Sequence, residues 1–207
     1  MMTSITRRSV SWIVLITLFT TFSMAANARV SVNQAAPDFT AVDSNGKEHR
    51  LSDFKGKTVV LEWTNHDCPY VRKHYDSGNM QALQKTATGK GIVWLSIISS
   101  APGKQGHVSG AEANRLTSSR NAAPTAVLLD ESGEIGGLYG AKTTPHMYII
   151  DEGGELVYMG GIDSIPSTDT NDIARATNYV DAALNALSSG QPIEDAVTRP
   201  YGCSVKY

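Results

Sequence analysis

Three short runs dense in β-branched and aromatic residues constrain this chain more than any other feature. They are residues 58–64 (TVVLEWT), 91–99 (GIVWLSIIS) and 125–130 (TAVLLD). Runs of this length and composition read as buried strands. The segments between them can be helical. Pro69 suits the first turn of a helix, where its missing N–H costs nothing. That helix is expected to continue to about Lys85, with a break at Ser77-Gly78, and residues 111–119 predict another. Residues 101–110, with three glycines and a proline, read as a long loop. Residues 146–151 (HMYIID) give a further strand, turned by Glu152-Gly153-Gly154 into a hairpin partner at 155–159. Near the start, Asn45-Gly46 between alternating segments signals a hairpin, and residues 51–54 a brief helical turn. Apolar spacing at Ile173, Ala176, Val180, Ala183, Leu184 and Leu187 predicts one amphipathic helix over residues 172–187. The order predicts an α/β fold: a central mixed sheet flanked by helices, an N-terminal hairpin and an irregular C-terminal tail.

The first 28 residues read as an address. Arg7 and Arg8 precede a 13-residue apolar run, residues 10–22, too short to span a bilayer comfortably. Ala26-Asn27-Ala28 is a small-x-small cleavage pattern, so residues 1–28 read as a secretory signal cut after Ala28. The expected product is exported, periplasmic or secreted, and free of the membrane after cleavage. It divides into a domain over residues 29–190 and a tail over residues 191–207 that carries Cys203. The full chain has 18 basic and 20 acidic residues, a balance that argues against a nucleic-acid surface.

Two cysteines, Cys68 and Cys203, limit the sulfur chemistry. Two are too few for a four-cysteine metal or cluster site, and no cofactor is expected. Cys68 falls between a buried strand and Pro69, which places it at a helix N-cap. Unpaired amides and the helix dipole there favour a thiolate. Arg72, Lys73, His66 and His74 are expected to add positive charge, against Asp67. Strand alternation sets Val60, Glu62 and Thr64 on one face and Val59, Leu61 and Trp63 on the other. A carboxylate in such a strand is costly unless paired or protonated. Glu62 therefore reads either as a group with a raised pKa or as the partner of Lys57. His49, His107 and the charge runs Lys55-Lys57 and Arg72-Lys73 read as solvated surface.

These residues resemble a known group. The segment 58–71, TVVLEWTNHDCPYV, and the strand–helix order resemble the thioredoxin superfamily. The likeness is strongest to its redoxins of the alkyl hydroperoxide reductase/thiol-specific antioxidant group, specifically the peroxiredoxin-like proteins. It is carried by Asn65-His66-Asp67-Cys68-Pro69-Tyr70-Val71, by Tyr139-Gly140-Ala141 with Thr144-Pro145, and by Gly202-Cys203-Ser204-Val205-Lys206-Tyr207, and it runs from about Val32 to the last residue. The resemblance implies a thioredoxin-like fold and an antioxidant or thiol–disulfide exchange activity. It implies Cys68 as nucleophile, Glu62 as proton acceptor, and Thr144 with a cis Pro145 as the loop that faces the reactive sulfur. Partners would be a thiol electron donor or a disulfide-bearing protein, with peroxide as a further substrate. His146, next to that loop, is a further acid–base candidate.

The sequence departs from the pattern at identifiable places. The second cysteine of a thioredoxin motif is replaced by Val71. The peroxiredoxin Thr or Ser three residues before the reactive cysteine is Asn65, and its arginine is replaced by Pro145. Thr64 and Arg72 are the nearby substitutes. Cys203, in the tail, is then the natural partner of Cys68, as a resolving thiol on a mobile segment, in a permanent structural disulfide, or across chains. Two other functions stay open: a copper-binding chaperone of the same fold using His66, His74 and His146, and a binding protein with no catalysis.

Overall fold

The structure is a computed structural model and describes residues 30–207 together with Met1. The predicted leader, Met1 aside, lies outside the described residues. In chain order the elements are β1 (Gln34–Ala35), β2 (Thr40–Asp43), β3 (Glu48–Arg50), a 3-10 turn (Leu51–Phe54), β4 (Val59–Trp63), α1 (Pro69–Asp76), α2 (Asn79–Gly89), β5 (Val93–Ile98) and α3 (Gly110–Ser119). There follow β6 (Ala126–Leu129), α4 (Glu134–Tyr139), β7 (Thr143–Thr144), β8 (His146–Ile150), β9 (Glu155–Gly160), a 3-10 helix (Thr170–Arg175), α5 (Tyr179–Ser188) and β10 (Cys203–Ser204).

Eight strands form one mixed sheet in the order β1-β9-β8-β4-β5-β6-β2-β3. β4 pairs parallel with β5, and β5 with β6; β4 pairs antiparallel with β8. The central strands read as near-continuous apolar runs because both faces are covered, and every residue of β4 and β5 is buried. Val59, Leu61 and Trp63 pack on one side with Tyr139 of α4 and Tyr148. Val60 packs on the other with Val71 and Tyr75 of α1, Met80 and Leu83 of α2, and Val180 of α5. Each such aliphatic side chain, fully buried, contributes roughly 1.5–3 kcal/mol. The two-sided core thereby fixes the end of β4, and with it the start of α1.

The Asn45-Gly46 hairpin forms as expected between β2 and β3, with Gly46 at φ +82°. The Asp43 carboxylate closes it by accepting from the amides of Asn45 and Lys47. The helix expected over residues 172–187 is instead two elements. The first ends where Ala176 turns extended, and Asn178 caps the second, its side-chain oxygen accepting from Asp181 N at 3.0 Å. α4 was not expected, since Gly136 and Gly137 depress its helix propensity. The Asp130 carboxylate stabilises its first turn by accepting from the amides of Ile135 and Gly136. Among the described residues no helix is long and apolar enough to cross a membrane.

The tail does not hang free. Met159 and Val197 form a bridge, Val205 N donates to Lys142 O, and Ala101 N donates to Lys206 O. The Tyr207 hydroxyl donates to Ala141 O at 2.8 Å. In the middle of this stretch β10 pairs antiparallel with β7, Cys203 opposite Thr144.

Candidate redox site

Cys68 is the N-cap of α1 and Pro69 is its first residue, as the sequence predicts. The side chain is fully buried, yet it is not sealed in apolar packing. Its thiol donates to Thr144 O at 3.1 Å, and the thiol of Cys203 lies within hydrogen-bonding reach. Both cysteines are in the free thiol form.

The two sulfurs are not equivalent. Burial pushes the Cys68 thiol up, but the Cys203 thiol, the amides of Val71 and Cys203, and the Thr144 side chain all favour the thiolate. The net shift is downward. Thr144 Oγ1 is buried and makes no hydrogen bond of its own, so its proton is free for the sulfur. Cys203 is pushed up to about 12, first by its own burial and then by its hydrogen bond to, and the charge of, Cys68. One thiol is thus prepared to ionise and the other to remain protonated beside it.

The Cys203 thiol, two amides and the Thr144 side chain perform this work, not the cations expected from sequence. Lys73, read as solvated, is fully buried and pairs with Asp163 at 3.0 Å. Arg72 faces Asp76 at 3.6 Å on the surface. His74 is buried and driven down to about 4 by desolvation, so it is neutral at pH 7. His49, also read as solvated, is buried against Asp43 at 2.8 Å. His107 is partly exposed and meets Glu131 at 2.9 Å.

Thr144 and Pro145 are joined by a cis peptide and lie directly against the Cys68 sulfur. Glu62 is fully buried on the α1 side of the sheet. Its carboxylate accepts from Tyr75 Oη at 2.8 Å, Trp94 Nε1 at 2.8 Å, Ser96 Oγ at 2.9 Å and Gln84 Nε2 at 3.1 Å. Desolvation raises its pKa against the pull of these four donors. Neither thiol nor Lys57 is among its partners. His146 turns to the opposite face, where its Nδ1 accepts from Lys142 N at 3.3 Å and stands 3.2 Å from the Tyr148 hydroxyl. Burial drives it down to about 3.

The substitutes considered for peroxide activation are also located. Asn65 accepts from Asp67 N and donates to Gln105 O. Thr64 Oγ1 is buried without a partner, beside a cavity of about 40 Å³ that His66, Tyr75, Ser96 and Arg120 also line. Among the described residues no group of three His, Cys, Asp or Glu side chains forms a metal site. His74 is committed to Asn79 and Tyr201. Sequence reasoning missed Tyr201 and Asp163; no local pattern marks either.

The geometry has parallels among known proteins. The chain is 29% identical over 147 residues to a thiol-disulfide oxidoreductase ResA of Geobacillus kaustophilus, covering 68% of this chain and 74% of that protein. A crystal structure of an uncharacterized conserved protein from Geobacillus kaustophilus superposes with TM-score 0.71 at 26% identity, covering 87% of this chain and 94% of that one. The pneumococcal exposed lipoprotein thioredoxin Etrx1 of Streptococcus pneumoniae superposes with TM-score 0.52 at 26% identity, covering 74% and 99%. The fold is thioredoxin-like, with the curled sheet, the cysteine at the head of α1 and the cis-proline loop in their expected relation. Residues 32–159, which hold Cys68, Glu62 and that loop, match the AhpC/TSA family model, and the chain belongs to the AhpC/TSA family.

Proposed function

We propose that this protein is a thiol–disulfide oxidoreductase in which Cys68 attacks and Cys203 resolves. The observation that carries the reading is the placement of the two cysteines: Cys68 at the N-cap of α1 with its thiol on Thr144 O, and Cys203 opposite that same Thr144 across the β10–β7 ladder. The Cys68 thiolate attacks one sulfur of a partner disulfide, forming a mixed disulfide and releasing the partner's first thiolate. Cys203 then gives its proton to solvent or to that thiolate and attacks Cys68 Sγ, expelling the second partner thiolate. The partner gains two electrons, and the Cys68–Cys203 bond closes. A thiol donor reverses the sequence. Thr144 contributes its hydroxyl to the thiolate, and Thr144-Pro145 shapes the edge beside it. Glu62 holds α1 to the sheet through Tyr75 and, with its pKa raised by burial, is the proton acceptor of this reading. The names of the curated relatives support this reading.

Family membership also supports peroxide reduction by the same sulfurs. The thiolate would take the distal peroxide oxygen, giving a sulfenic acid and an alcohol or water, and Cys203 would condense with it, releasing water. The names of the relatives favour disulfide exchange, which is the primary reading. The leader read from residues 1–28 supports an exported, oxidising compartment as the setting of the reaction.

Reduced protein mixed with glutathione disulfide tests the reading. Mass spectrometry is expected to find an intrachain 68–203 disulfide, and Cys203→Ser to trap a glutathione adduct at Cys68. A wild-type protein that stops at the adduct, or never reacts, overturns it. Parallel oxidation with hydrogen peroxide ranks the two substrates.

A further inference from the structure

α1 carries Cys68 at its head and, near its other end, a fully buried Lys73 and His74. A buried ion pair contributes little net stability, because desolvation offsets the attraction. What this one receives is a tail residue. Lys73 Nζ pairs with Asp163 and donates to Ile165 O at 2.8 Å. The Tyr201 hydroxyl enters between them, donating to Asp163 Oδ1. Asn79 Nδ2 donates to His74 Nδ1 at 2.9 Å, which leaves the Nε2 proton of that neutral imidazole to donate to Tyr201 Oη at 3.2 Å. Lys73 Nζ stands 3.5 Å from the same oxygen, and Tyr70 packs edge-on to the Tyr201 ring. Cys203 follows two residues later, within about 7 Å of extended chain.

We propose that Tyr201 is a positioning residue: the Lys73–Asp163–His74 socket grips its hydroxyl and so holds the Cys203 thiol against Cys68. Lys73 and His74 of the socket share α1 with the Cys68 cap, so the grip ties the segment that carries one sulfur to the helix that carries the other. This rests on the reading of the two cysteines as a redox pair.

The test is the equilibrium of the full-length protein with glutathione: dithiol plus glutathione disulfide gives the 68–203 disulfide plus two glutathione thiols. Tyr201→Phe keeps the ring and removes the gripped oxygen. Its equilibrium constant is expected to fall about tenfold, the loss typical of a hydrogen bond to a charged group. The Cys68 alkylation midpoint is expected to rise toward that of Cys203→Ala. A purely structural tyrosine would lower the melting temperatures of the reduced and oxidised forms equally and leave the constant unchanged. A Tyr201→Phe constant within twofold of wild type, with wild type closing the bond, overturns the positioning role alone. A wild-type chain that never closes it overturns the redox reading and this role with it.

Discussion

Cys203 stands opposite Thr144 across the β10–β7 ladder, and the carbonyl of that same Thr144 accepts from the Cys68 thiol. One loop residue thereby touches the surroundings of both sulfurs. The tail covers Cys68 and completes its environment: burial disfavours its thiolate, and the Cys203 thiol and amide oppose that penalty.

Removing the second sulfur therefore changes the first. In Cys203→Ala the Cys68 thiolate loses its strongest stabilising donor, and its alkylation midpoint is expected to rise above that of the wild type. An alkylation-rate profile against pH, with the site of labelling confirmed by mass spectrometry, measures it. An unchanged or lower midpoint would show that the helix N-terminus alone sets the ionisation.

The close approach of β10 depends on Gly202. Its φ is +143°, and a Cβ there would collide with the Thr144 carbonyl oxygen. Gly202→Ala is expected to lift β10 from β7 while leaving both thiols in the chain. Cys68 labelling, measured well above its midpoint so that only access matters, should become faster, and the 68–203 disulfide less stable. Equal labelling rates would mean that the tail yields elsewhere.

Much of this site was legible before any coordinates. A β-branched run followed by Cys-Pro is sufficient to predict a cysteine at a helix N-cap, because proline's fixed φ and missing N–H select that position. The hairpin at Asn45-Gly46 follows from turn chemistry in the same way. Lys73 was misread because its partner lies 90 residues away, and no local pattern signals a lysine whose charge is met from another element. His49 was misread for a different reason: its partner is near in sequence, but the hairpin that sets His49 opposite Ala41 is what brings the Asp43 carboxylate to its ring. The tail looks irregular because two-residue strands carry no periodicity. Its glycine and tyrosines acquire meaning only against Thr144 and Asp163.

Glu62 gives a pH signature of definite sign. Its folded pKa is raised, so between its unfolded value, about 4.3, and the folded one the native state holds a proton that the unfolded chain has released. Its stabilising contribution is complete below the unfolded pKa and is lost as pH rises through the folded one. Glu62→Gln is expected to remove that downward slope from a plot of urea midpoint against pH. An identical slope in the variant would place the carboxylate's pKa near its ordinary value.

The buried histidines give the opposite sign. His146 and His74 are held down to about 3 and about 4, chiefly by desolvation, while the unfolded values lie near 6.5. Below the unfolded pKa the unfolded chain takes up protons that the folded chain refuses. Stability is then complete at neutral pH and falls on acidification toward the folded values, by about 1.4 kcal/mol per pH unit for each group. Glu62 slopes the other way over part of this window, so the measurement belongs in the Glu62→Gln background. There, His146→Asn keeps an acceptor for Lys142 N and is expected to remove about half of the acid slope, read as urea midpoints from about pH 6 to about pH 4. A slope that survives intact would mean that His146 titrates normally, and that its imidazole reaches water despite its burial against Tyr148.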